Sequence, residues 1–167
     1  MNPKRVLVAY GSKHGATEGI ADEIGRALRA DGVDVVVLPA DTVTDVSGYD
    51  GVVLGGALYA GRWNGKARRC ARRNADQLRN RPVWLFSSGP VDSSAEQHEI
   101  PPPPGVARRM KKLRAREHMT FGGAMTSETP GRIAQSMVRH GKGGDYRNPA
   151  RIHAWAHHIG EELGATP

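Results

Sequence analysis

The feature that most constrains this chain is a short apolar run that empties into a loop of small residues and then, with no linker, into an amphipathic helix. Arg5-Val6-Leu7-Val8-Ala9-Tyr10 is apolar without alternation, the pattern of a strand covered on both faces. It ends in Gly11-Ser12-Lys13-His14-Gly15-Ala16-Thr17-Glu18. From Ala16 to Asp31 the period changes. Ile20, Ile24 and Leu28 recur every four residues beside Ala21 and Ala27, with Asp22, Glu23 and Arg26 on the other side, and Gly32 stops the helix. A strand apolar on both faces needs a layer above and a layer below it.

The same alternation continues along the chain. Val33 to Leu38 reads as a second strand rich in β-branched residues, and Gly51 to Leu54 as a third that runs into Gly55-Gly56. Arg62 to Arg79 reads as a helix with Ala67, Cys70, Ala71 and Leu78 facing inward. Pro82 to Ser87 is a fourth strand, and His118 to Met125 a fifth. Asn148 and Pro149 suit the cap and first position of a last helix, whose buried stripe is Ile152, Trp155, Ala156, Ile159 and Leu163. Alternating strands and helices predict an α/β domain with a parallel sheet. The expectation is a single domain over residues 1–167, carrying an irregular basic insert at about 90–117 that contains Pro101-Pro102-Pro103-Pro104.

Composition narrows the class. Hydrophobic residues make up 38% of 167, an ordinary globular balance that argues against a disordered or collagen-like chain. The one cysteine, Cys70, excludes an internal disulfide framework and an all-cysteine metal site, and reads as a buried small residue. No apolar run approaches the length of a membrane span, so a cytoplasmic protein is expected. The net charge is +7, and the basic residues concentrate after residue 61. Such an excess attracts anions without choosing among nucleic acid, anionic lipid and acidic small molecules.

The loop at 11–18 is a candidate phosphate site. A helix start presents unpaired N–H groups and partial positive charge; Ser12 and Thr17 add hydroxyls, Gly15 permits close backbone approach, and Lys13 and His14 add charge. A P-loop would end in Gly-Lys-Ser/Thr, and a dinucleotide fingerprint needs G-x-G-x-x-G; neither is present. The other reading of the same residues is a plain strand-to-helix turn with a hydroxyl cap.

The string VLVAYGSKHGAT, residues 6–17, resembles the first strand and phosphate loop of flavodoxin-like proteins, with Ser12, Gly15 and Thr17 at matching positions and His14 where a hydroxyl residue is usual. The residues from Tyr49 to Gly61, Phe121-Gly122-Gly123-Ala124-Met125, and Gly144-Asp145-Tyr146-Arg147 with Ile152 and Trp155 are similar to segments of the flavodoxin-type, menaquinone-dependent protoporphyrinogen oxidases. The resemblance implies a flavodoxin-like three-layer sandwich, with a five-stranded parallel sheet of order 2-1-3-4-5 and helices on both faces. It implies FMN as cofactor, with the phosphate on Ser12, Lys13, His14, Gly15, Ala16 and Thr17. The flavin ring would lie against Leu58, Tyr59, Ala60 and Gly61 from a second loop, and against Ser88, Gly89, Pro90, Val91 and Asp92 from a third. Ligands of such sheets bind outside the carboxyl ends of the strands, where strand order reverses.

The flavin carries the redox chemistry, so no catalytic acid or base is nominated. The implied activity is an FMN-dependent oxidoreductase, in its specific form oxidising protoporphyrinogen IX with a quinone acceptor. The alternatives are a flavodoxin-like electron carrier and a flavin-free interaction module. Arg62, Lys66, Arg68, Arg69, Arg72, Arg73, Arg79 and Arg81, with Arg108, Arg109, Lys111, Lys112, Arg114 and Arg116 of the insert, form a solvated face, a receptor for porphyrinogen carboxylates or a peripheral contact with the inner face of a membrane. Nucleic acid is disfavoured as a partner, because no aromatic residues interleave with the basic ones. His153 and His157 lie four apart on the last helix but lack a third ligand at a telling spacing, so they read as exposed helix residues rather than a metal site.

Overall fold

The computed structural model describes residues 3–12, 15–89, 99–125 and 144–164. Five strands run parallel: β1 (Arg5–Gly11), β2 (Asp34–Pro39), β3 (Gly51–Tyr59), β5 (Val83–Ser88) and β6 (Glu117–Phe121). Their order across the sheet is β2-β1-β3-β5-β6. A sixth, two-residue strand, β4 (Arg62–Trp63), folds back antiparallel on β3. Counting parallel strands alone, this is the expected 2-1-3-4-5 arrangement.

The sheet separates two cores, and strand alternation assigns residues to them. Val6, Val8, Val53, Trp84 and Phe86 point to one face, where helices α1 (Ala16–Ala30) and α5 (Pro149–Glu162) cover them with Ile20, Ile24, Leu28, Ile152, Trp155 and Ile159. Leu7, Ala9, Val52, Leu54, Val83 and Leu85 point to the other. There α2 (Gly65–Arg73), α3 (Ala75–Leu78) and α4 (Pro104–Leu113) supply Ala67, Cys70, Leu78, Val106 and Leu113. The central strands β1, β3 and β5 are therefore apolar on both sides, which explains their unbroken hydrophobic runs. Phe86, Phe121 and Trp155 meet edge to face in the first core, with ring centroids 5.6–6.3 Å apart.

Gly55 is the position where a side chain is least tolerable in the central strand. A Cβ there would lie 2.0 Å from the Phe86 ring, so the glycine makes the space that the ring fills. Ala156 and Gly160 of α5 settle on α1, and two polar pairs join the same helices: His153 Nε2 lies 2.6 Å from Glu23 Oε2, and His157 Nδ1 contacts Asp31. These histidines keep much of their side chains exposed, as expected, while tying the two helices together.

Several boundaries differ from the sequence reading. The third strand continues to Tyr59, because Gly55, Gly56 and Ala57 keep pairing with β1 and β5. The helix expected over 62–79 begins only at Gly65. Ala60 and Gly61, with φ of 49° and 75°, form a two-residue turn that pairs Tyr59 with Arg62, and Asn64 then caps α2 by accepting the Lys66 N–H at 2.8 Å. The helical stretch is split at Asn74, whose amide Nδ2 donates to the Cys70 carbonyl at 3.0 Å. The stretch expected to be irregular contains α4, with Pro104 at its first position and its missing donor therefore harmless. The fifth strand stops at Phe121, since Gly122 packs against the Tyr146 backbone so closely that a Cβ would come within 2.1 Å of its carbonyl oxygen. Ala124-Met125 (β7) instead pairs with Gly144-Asp145 (β8). No helix among the described residues is long and apolar enough to cross a membrane.

Candidate functional site

The carboxyl ends of β1, β3 and β5 lie side by side, because Gly11 pairs with Gly56 and Ala57 with Ser88. The three loops singled out from the sequence therefore leave the same edge of the sheet. The first two are brought close by Gly11, where a Cβ would lie 2.7 Å from both the Ala67 backbone nitrogen and Asn64 Oδ1. The second and third meet where Gly89, at φ 118°, faces Leu58; a Cβ on Gly89 would lie 3.8 Å from that of Leu58. Gly89 is further fixed by its N–H, which donates to the Phe121 carbonyl at 3.0 Å.

In the first loop, Gly15 takes φ 88°, a left-handed conformation natural to glycine, and α1 starts at the next residue. The Ser12 hydroxyl oxygen accepts the Gly15 N–H at 2.9 Å, which closes the loop and leaves its own O–H available to donate. Among the described residues no side chain caps α1. Its first-turn N–H groups, from Ala16 onward, accordingly have no acceptor within the helix. Thr17 is fully buried, and among the described residues its Oγ1 has no hydrogen-bond partner. A buried hydroxyl left unpaired costs about 1–3 kcal/mol, a cost that a bound anionic oxygen would remove. Lys13 and His14 lie outside the described residues.

Arg147 was not singled out as a site residue. It hydrogen-bonds Asp145 through Nε at 3.0 Å and Nη2 at 2.7 Å, and its Nη1 reaches α1 so closely that a Cβ on Gly19 would lie 2.5 Å away. The bonds to Asp145 raise the Arg147 pKa and lower that of Asp145. A fixed guanidinium thus stands beside the second half of the first helical turn. The only sequence signal for it is its place after Gly-Asp-Tyr, which carries no spacing relation to the loop. Tyr10, at the end of β1, is pushed up in pKa by burial and then by its interaction with Glu18.

In the second loop, Leu58 is partly buried and Tyr59 is 40% exposed, while Ala60 and Gly61 form the tip of the hairpin. Ala60 holds a left-handed backbone without being glycine, a local strain of roughly 1 kcal/mol. Beneath the hairpin, Trp63 is buried and its Nε1–H donates to the Phe86 carbonyl at 3.2 Å. In the third loop Ser88 is buried at the strand end and Gly89 partly buried; Pro90, Val91 and Asp92 lie outside the described residues.

Residues 7–148 match the family model described as Flavodoxin domain. The chain belongs to the flavodoxin family. Solved structures agree in fold. Oxidised Flavodoxin 2 from Bacillus cereus is 20% identical, with a TM-score of 0.65 over 95% of this chain and 99% of that one. A flavodoxin from the domain Archaea is 13% identical, with a TM-score of 0.62 over 96% and 99%. The rubredoxin oxygen:oxidoreductase of Desulfovibrio gigas is 12% identical with a TM-score of 0.65, and this chain's 98% corresponds to only 37% of that protein. The cofactor of the flavodoxin family is FMN. The uncapped helix start, the left-handed Gly15 and the orphaned Thr17 hydroxyl fit its phosphate.

Proposed function

We propose that this flavodoxin-family chain uses FMN to pass electrons, and that it acts as an oxidoreductase. The single observation that carries the reading is the buried Thr17 hydroxyl, unpaired among the described residues at the start of an uncapped helix. When bound, FMN supplies the one- and two-electron chemistry. The chain's own part is binding and shielding. The N–H groups of Ala16 and Thr17, with the hydroxyls of Ser12 and Thr17, would hold the phosphate. Leu58 and Tyr59 would cover one side of the ring, the Ala60-Gly61 turn would offer backbone groups to its edge, and Ser88 and Gly89 would close the far side.

In its specific form the reading is oxidation of protoporphyrinogen IX with a quinone acceptor. It rests on the resemblance of the segment from Tyr49 to Gly61 and on the arginines next to that loop, since guanidinium groups match carboxylates. The reading as an electron carrier is favoured by the likeness to Flavodoxin 2 from Bacillus cereus over 99% of that chain.

One reconstitution separates these outcomes. The chain is saturated with FMN, and anaerobic flavin bleaching is followed on adding protoporphyrinogen IX, then its recovery on adding a menaquinone analogue. Bleaching and recovery with porphyrin formation support the specific reading. A bound flavin that responds only to a flavodoxin reductase supports the carrier. Failure to retain FMN overturns both.

A further inference from the structure

The geometry points to a second anion site: we propose that the cavity between β4, the start of α2 and the start of α4 binds a small organic anion bearing at least two carboxylate or phosphoryl groups. The cavity measures about 370 Å³ and is lined by Arg62, Arg68, Arg108, Arg109 and Lys112, with Trp63 in its wall. That volume lies at the lower end of the range typical of small-molecule sites.

What distinguishes this cavity is the convergence of its cations on one recess. Some basic side chains elsewhere stand beside acids: Arg5 near Asp34, Arg26 with Glu23, Lys66 near Asp41, Arg79 with Asp76 and Arg116 near Glu162. Among the described residues, no carboxylate forms an ion pair with any of the five cations of the cavity, and none lines it. Arg109 is pulled below its ordinary pKa by burial and then by the neighbouring Arg72 and Arg68. Like charges gathered in a recess repel one another, and a multivalent anion relieves that repulsion at several side chains at once.

Two backbone features agree with a ligand rather than a solvated face. Pro104 and Gly105, at the start of the ten-residue α4, form part of the wall, so the positive end of that helix dipole faces the cavity. Gly61 is shared between the cavity and the tip of the second flavin loop. An anion anchored on α2 and α4 would thus keep the rest of its body at the edge of that loop. The anion site stands without the flavin; its use as a redox substrate site rests on the function proposed above.

Calorimetric titration of the full chain, after incubation with FMN, tests the site, with citrate and pyrophosphate as probes and FMN content measured separately. The expected result is one anion per chain, with affinity roughly tenfold weaker in Arg68→Gln with Arg109→Gln, weaker still at high salt, and unchanged in Thr17→Val. Binding of citrate alone assigns carboxylates and of pyrophosphate alone assigns phosphoryl groups; either upholds the site. No binding at millimolar probe, binding indifferent to the arginine variant, or loss only in Thr17→Val overturns it. So does tight binding of a single-stranded RNA that neither small anion displaces. Because FMN content is read independently, a chain that rejects FMN but binds the probes through the arginines upholds this site while overturning the redox reading.

Discussion

The imidazole Nε2 of His118 lies 2.8 Å from the Ser87 hydroxyl oxygen, while its Nδ1 is buried and, among the described residues, unpartnered. The two side chains bridge β5 and β6, and among the described residues no carboxylate forms an ion pair with the ring. Burial accordingly lowers its pKa from 6.5 to about 4.

That depression has a definite sign in stability. Above pH 6.5 both folded and unfolded chains carry a neutral His118, so the group adds no pH dependence. As pH falls from 6.5 towards 4 the unfolded chain takes up the proton first, and stability drops by about 2 kcal/mol by pH 5. Urea unfolding at pH 7.5 and pH 5 checks this. The wild type should lose about that much more stability across the interval than His118→Asn.

Gly55→Ala would force a methyl group against the Phe86 ring in the most enclosed part of the sheet. Overpacking of this kind costs about 1–3 kcal/mol or more, and a lowered thermal midpoint is expected. Pairing it with Phe86→Leu, which withdraws the ring, should make the glycine substitution less damaging than it is alone.

Asn148 is the cap of α5, with its Oδ1 accepting the Arg151 N–H at 3.2 Å. Asn148→Ala should destabilise the chain by about 1 kcal/mol. Asn148→Asp, which retains the acceptor, should restore most of that loss in the same unfolding assay.

Cys70 is buried against the sheet, and burial pushes its thiol pKa up despite the neighbouring Arg73. Reaction with an aromatic disulfide reagent should be slow in the folded chain and fast in denaturant. Rapid labelling under native conditions would show that α2 opens locally.

Much of this architecture is legible in the sequence because its cause is local. The four-residue recurrence of Ile20, Ile24 and Leu28 and the unbroken apolar runs of the strands each reflect a face that must be buried. The exceptions arise where tertiary contact decides. Nothing between Tyr59 and Gly65 announces a hairpin: Ala60 adopts a left-handed backbone there although alanine does not favour it, so the basic run looked like uninterrupted helix. Pro101 to Pro104 looked irregular because four prolines obscure the one that starts a helix. The turn from β1 into α1, where Gly15 takes the left-handed backbone, was legible from its glycines. Arg147 beside Gly19 was not, since the two residues are far apart in sequence and meet only when α5 packs on α1. The unmatched arginines were visible as composition, but their convergence on one cavity needs α2 and α4 brought together.

The central claim is that the Thr17 hydroxyl awaits a phosphate oxygen, and titration of the flavin-stripped chain with FMN tests it most directly, comparing wild type with Thr17→Val. Binding of one FMN per chain is expected, weakened roughly tenfold in the variant, whose thermal midpoint without FMN should be equal to or above that of the wild type because an unpaired buried hydroxyl has gone. Equal FMN affinity in the two proteins, or no uptake by either, would contradict the account.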